Sequence, residues 1–183
     1  QYGIPNLYRR DIYMFVNGFR RATVYHDTQQ PGGDILEEWF ADNPDGTLVK
    51  TTQWSEGSDS GAVELILLNS LERFTSGGAL KVARYRWNWR LRATDSQLDY
   101  SKFLNLVETA NAPSSSYRMA VENLVDVDDW MRMFAMNDVC SYWDGFGNPN
   151  AKNTFLYKPT GDRWRLIPWD FDVGLGVFND PVD

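Results

Sequence analysis

The chain has 183 residues, of which 43% are hydrophobic and 23% charged, a balance that suits one ordinary domain or two small ones with a sizeable core. A net charge of −7 and a pI near 4.7 argue against a broad nucleic-acid-binding face, because neutralising phosphates needs clustered Lys and Arg. The single cysteine, Cys140, excludes a disulfide within the chain, and no apolar run reaches the length of a membrane span.

Residues 12–17 read as a strand, Asn17 and Gly18 as a tight turn, and residues 22–25 as the returning partner of a hairpin. Pro31, Gly32 and Gly33 break the chain, and Asp34 is placed to cap a helix that carries Ile35, Leu36, Trp39 and Phe40. Asn43 to Gly46 spell a turn that leads to a strand over residues 48–52. Residues 55–61 are polar and Gly-rich, with neither a Walker pattern nor a Gly-x-Gly-x-x-Gly phrase, and read as a surface loop. Residues 62–73 fit a strand or a helix equally, as do residues 81–92, where Val82, Arg84 and Arg86 alternate with Ala83, Tyr85 and Trp87. Residues 100–110 have helical spacing, Pro113 suits the first turn of a helix running to Leu124, and Asp126 caps a longer one that ends near Trp143. Cys140 falls in the apolar pattern of that helix and reads as a buried thiol. A loop of Gly, Asn and Pro follows, then a hairpin of residues 154–158 and 164–167 about Thr160, Gly161 and Asp162. Strands gather early and helices later, which reads as an α+β fold, with two lobes and a cleft between them as the expected arrangement.

The last of these elements runs into Pro168-Trp169-Asp170-Phe171-Asp172. Ionised acids are costly among such aromatic neighbours unless a positive charge or hydrogen-bond donors meet them. A hard divalent cation such as Mg²⁺ or Ca²⁺ is one answer, and capping of backbone N–H groups or pairing with Arg is the other. In an extended segment Asp170 and Asp172 face the same way and can share one ion. A short antiparallel hairpin brings its outer ends together, so Asp144, Asn153, Asp170 and Asp172 are expected to converge. Phosphoryl transfer uses such a set: one carboxylate meets the acceptor hydroxyl, while an Asn and an Asp hold the metal that bridges the nucleotide phosphates. The alternatives are a turn residue for Asp144, a loop residue bonding its own backbone for Asn153, and a solvated strand side chain for Lys50. Arg84, Arg86, Arg90 and Arg92 form a basic cluster, either a charged face or a contact for an acidic or phosphorylated partner.

These motifs resemble the spore coat protein H (CotH) kinase-like family of atypical kinases. The resemblance lies in residues 125–130 (Val-Asp-Val-Asp-Asp-Trp), 143–147 (Trp-Asp-Gly-Phe-Gly), 153–157 (Asn-Thr-Phe-Leu-Tyr) and 164–172 (Trp-Arg-Leu-Ile-Pro-Trp-Asp-Phe-Asp), followed by Gly174. Upstream, Phe15 to Gly18, Asp27 to Gln29 and Gly46 to Lys50 look like the family's first lobe. The resemblance implies a two-lobed kinase-like fold. Residues 1–60 would form part of a strand-rich lobe and residues 61–183 the remainder, within one domain truncated at both ends. It implies ATP with Mg²⁺ (or Mn²⁺) and transfer of the γ-phosphate to Ser or Thr of a protein. By motif position Asp144 is the catalytic acid, Asn153 and Asp170 are metal ligands with Asp172 beside them, and Lys50 meets phosphate. Where relatives often carry Glu before the Asp-Thr-Gln phrase, this chain has His26. A non-catalytic binding or adhesion module of a secreted, cell-surface or spore-associated protein is the alternative that the family allows.

Overall fold

Among the stretches of consecutive apolar residues are three short ones: Leu48 and Val49, then Phe155, Leu156 and Tyr157, then Leu166 and Ile167. In a strand, consecutive residues point to opposite faces, so such strands need cover on both sides. The computed structural model describes residues 3–57, 63–66, 69–93, 99–148 and 151–171. In chain order its elements are β1 (Arg9–Val16), β2 (Phe19–Thr28), α1 (Gly33–Trp39), β3 (Thr47–Thr51), β4 (Trp54–Gly57), β5 (Val63–Ile66), β6 (Thr75–Ser76), β7 (Ala79–Leu80), α2 (Val82–Asn88), β8 (Trp89–Ala93), α3 (Ser101–Ala110), α4 (Ser114–Leu124), α5 (Val127–Val139), β9 (Thr154–Lys158) and β10 (Arg165–Pro168).

The three apolar stretches become β3, β9 and β10, which join β8 in an antiparallel sheet of order β10-β9-β3-β8. One face, with Val49, Trp89, Leu156 and Leu166, packs on Phe103 and Leu106 of α3 and on Trp130 and Met133 of α5. The other face, with Leu48, Phe155, Tyr157 and Ile167, is covered by Ile35 and Leu36 of α1. The sheet is therefore a middle layer between helices. It unites early and late parts of the chain, because β3 pairs with β9 from Thr47↔Lys158 to Lys50↔Phe155. Helices together with antiparallel sheets make this an α+β protein.

The N-terminus of α5 is stapled to β10. The Asp126 carboxylate accepts the Asp129 N–H at 3.2 Å, the N-cap bond expected of it. Asp126 also pairs with Arg165 at 3.1 Å, and the Trp130 indole donates to the Trp164 carbonyl at 3.0 Å. Asp129, buried two residues into the helix, accepts the Leu166 N–H at 2.7 Å. Burial pushes its carboxyl above the usual carboxylate range, against the pull of that N–H.

Several local expectations hold and several are corrected. Asn17 and Gly18 both take left-handed φ, 52° and 81°, which is what a two-residue hairpin turn between β1 and β2 requires. Asp34 is not the cap of α1: that helix opens at Gly33, with Gly32 before it, and Asp34 lies in the first turn. Residues 81–92 are both of the things their pattern allowed, a helix to Asn88 and a strand from Trp89. The switch falls where Asn88 bonds Asn69 Oδ1 at 2.6 Å and the Thr52 N–H donates to the Asn88 carbonyl at 2.8 Å. Residues 63–66 are a strand paired with β4. The long helix α5 stops at Val139, short of Trp143, because Ser141 turns left-handed at φ 50°. Cys140, at its end, is half-buried rather than buried. Among the described residues no helix is long and apolar enough to cross a membrane.

Candidate functional site

The β9–β10 hairpin places the site. Its open end pairs Thr154 with Pro168, so the residues before β9 and after β10 leave the sheet side by side. The Trp169 N–H continues the ladder by donating to the Asn153 carbonyl at 3.2 Å. The loop from α5 arrives at the same place, since the N–H groups of Lys152 and Asn153 both donate to the Asp144 carbonyl, at 3.0 and 3.1 Å. Gly145 allows this tight path: a Cβ there would lie 2.6 Å from the Tyr142 ring and 2.8 Å from Asn137 Nδ2. Thr154 pins the loop to the sheet, with its hydroxyl accepting the Phe146 N–H at 2.9 Å and its backbone exchanging bonds with the Thr51 hydroxyl.

Three of the expected site residues converge. Asn153 Nδ2 lies 3.2 Å from Asp144 Oδ2 and 3.5 Å from Asp170 Oδ2. Asp144 is 1% exposed and Asn153 5%, while Asp170 is half-buried at the rim. Asp170 takes φ 63°, a left-handed conformation that costs a non-glycine residue about 1 kcal/mol or more. Its neighbours hold that twist in place. The Tyr142 hydroxyl bonds the carbonyls of both Asn153 and Trp169, and its ring stacks on Phe171 with centroids 3.9 Å apart. Asp172 lies outside the described residues.

Lys50 reaches the same region from β3. Its ammonium sits 4.5 Å from the centre of the Trp169 ring and 5.8 Å from that of Phe155. Burial pushes its pKa below the ordinary lysine value, Arg92 and Arg90 push it further, and Asp170 pulls the other way. The influence of Asp170 on Lys50 puts the two within electrostatic reach. An apolar cavity of about 460 Å³ opens beside them, between the segment Ile4 to Leu7, the α5 end at Met136 and Cys140, and Trp169 to Phe171.

Two residues that motif reading did not single out belong to this arrangement. Lys152 Nζ pairs with Asp144 Oδ2 at 3.2 Å, and its half-exposed side chain lies over the otherwise buried acid. Its position directly before Asn153 was the available signal. Tyr142 had none, because one more aromatic in a chain with 27 aromatic residues, summed over eight Trp, nine Tyr and ten Phe, does not stand out. His26, by contrast, is exposed on the β1–β2 hairpin, with Nδ1 2.7 Å from its cross-strand partner Asp11.

The donor chemistry suits a hard divalent ion. Two carboxylates converge on the Asn153 amide, whose Nδ2 faces both of them; carboxylate oxygens are what Mg²⁺ prefers, with water and substrate phosphates completing its shell, and Asn153 would contribute through its Oδ1. Among the described residues no three His, Cys, Asp or Glu side chains gather into a site by themselves.

The comparisons with known proteins agree with the motifs. The family model described as CotH kinase protein matches residues 12–182, nearly the whole chain. No curated protein matches the chain.

Proposed function

We propose a function from one premise: the chain belongs to the CotH kinase family. The activity is transfer of the γ-phosphoryl group of ATP to a Ser or Thr hydroxyl of a protein, on a two-lobed kinase-like architecture in which the β1–β2 hairpin is part of the strand-rich lobe. The observation that carries this reading is the meeting of Asp144, Asn153 and Asp170 at the open end of one hairpin, with a single amide within 3.5 Å of both carboxylates. The left-handed backbone at Asp170 is of a kind that clusters at working sites and supports the same reading.

In this reading Asn153 and Asp170 hold Mg²⁺, with Asp172 as a further candidate. The ion supplies charge neutralisation on the phosphate oxygens. Lys50, anchored over Trp169, meets phosphate. The apolar cavity shares Trp169 and Asp170 with this cluster and takes the base. Asp144 orients the acceptor hydroxyl and receives its proton as the oxygen bonds to the γ-phosphorus. The bond from that phosphorus to the bridging oxygen breaks, and ADP leaves with the electron pair. Asp144 is covered by Lys152, so the acceptor reaches it only after that lysine swings aside. A spore-coat setting fits the family's name.

Labelling of a Ser/Thr protein mixture with γ-labelled ATP, using wild-type protein, Asp170→Ala and Asp144→Asn, tests the reading. Both variants should lose on the order of 10²-fold or more of the labelling rate while still melting in one cooperative transition. Equal labelling by wild type and Asp170→Ala would end the metal assignment. No labelling together with no thermal shift on adding MgATP would favour a non-catalytic module, since a ligand bound only by the folded state raises its stability.

A further inference from the structure

The basic cluster of residues 84–92 divides in two. Arg84 and Arg86 are engaged on α2, their guanidinium carbons 3.3 Å and 5.5 Å from the ring centres of Phe74 and Tyr100. Arg90 and Arg92 are exposed on β8, and among the described residues neither has an ion pair, although Arg10, Arg73, Arg118, Arg163 and Arg165 all do. A chain with 25 acidic residues against 18 basic ones does not lack acids to set beside them.

Their position makes this arrangement costly. Arg90 is the register partner of Lys50 across β3 and β8, so the two side chains leave the same face from Cα atoms about 5 Å apart. Like charges directly opposite destabilise a sheet. Arg92 follows two residues on, at the bulge where Leu48 pairs with Ala93 and Val49 with Leu91, and its charge acts on Lys50 more strongly than that of Arg90. Lys50, over Trp169, thus has two further cations around it, and among the described residues no ion pair of Arg90 or Arg92 offsets the repulsion.

We propose that Arg90 and Arg92 extend Lys50 into one anion site that takes the polyphosphate chain of the nucleotide. Residues two apart in a strand are separated by about 7 Å, which matches a chain of linked phosphates better than a single anion. The guanidinium fork pairs with two phosphate oxygens at once. The inference rests on the nucleotide reading above and adds two residues to it from outside the quoted motifs.

Calorimetric titration of MgATP and of tripolyphosphate into wild type, the double variant R90Q/R92Q and the charge-preserving R90K/R92K tests it. The Gln variant should bind both ligands about tenfold or more weakly, with a shallower dependence of affinity on salt and a melting temperature no lower than that of wild type, since both side chains are exposed and their neutralisation relieves the repulsion on Lys50. The Lys variant should fall between. Equal affinity of wild type and R90Q/R92Q for MgATP would overturn the anion site and leave the nucleotide reading standing. Failure of wild type to bind either MgATP or tripolyphosphate would overturn both. Tighter binding of a phosphoserine peptide than of tripolyphosphate would overturn the assignment to nucleotide.

Discussion

The β10-β9-β3-β8 sheet and the β1–β2 hairpin are both antiparallel and both rich in aliphatic and aromatic residues, yet they stand in opposite surroundings. Leu48, Val49, Leu156 and Leu166 are fully buried, whereas every residue of β1 is exposed, and Phe15 and Phe19 are 62% and 74% open to solvent. Pairing alone forms a strand; a second layer is what buries one. The hairpin is specified locally by the left-handed Asn17 and Gly18 and their cross-strand register. The sheet depends on contacts from distant parts of the chain: α1 on one face, α3 and α5 on the other. The candidate site hangs from the buried sheet, where backbone positions are held on both sides.

Substitutions should separate the two regions by the size of their effects. The largest is expected for Trp164→Ala. That ring is fully buried, edge-on to Phe103 at 6.4 Å, and its backbone bridges β10 to Val125. The variant should lose about 3–5 kcal/mol, read from the urea midpoint; a small loss would mean that the two-sided packing of the sheet is overstated.

An intermediate, pH-dependent effect is expected at Asp129. Its folded-state pKa is raised by burial, so the native state binds the proton more tightly than the unfolded chain does. That contribution is complete below the ordinary carboxylate range, near about 4, and is lost as pH rises through the raised value. Wild type should therefore lose stability relative to Asp129→Asn as pH increases over this window, because the amide does not titrate and can still accept the Leu166 N–H. Parallel urea midpoints for the two proteins across that range would contradict it.

The smallest effect is expected on the hairpin. Phe19→Ala removes a ring that is 74% exposed and should change stability by less than about 0.5 kcal/mol. A loss comparable to that of Trp164→Ala would show that the hairpin is covered in solution, and would remove the contrast with the sheet.

Much of the candidate site is legible in the sequence, and the reason is its short range. Asp144, Asn153 and Asp170 lie on two loops joined by a hairpin with a recognisable turn, so their meeting follows from local pairing. The helix cap at Asp126 was legible for the same reason. Lys152, Tyr142 and the left-handed Asp170 were not, because each depends on which carbonyl or carboxylate a side chain reaches once the loops are folded. The early end of α5 escaped notice because its apolar pattern continues past Val139 while the backbone turns at Ser141.

By itself, then, the amino-acid sequence determined the family, the first hairpin, the later helices and the closing hairpin, and the convergence of Asp144, Asn153 and Asp170. These depend on turn chemistry, caps and periodicity within a dozen or so residues. Only the tertiary structure decided that β3 lies beside β9, that Lys50 stands opposite Arg90 and over Trp169, and that Lys152 covers Asp144. Those outcomes follow from burying both faces of one sheet. Periodicity shows which residues must be buried, but the partner that buries them is chosen by the packing of the whole chain.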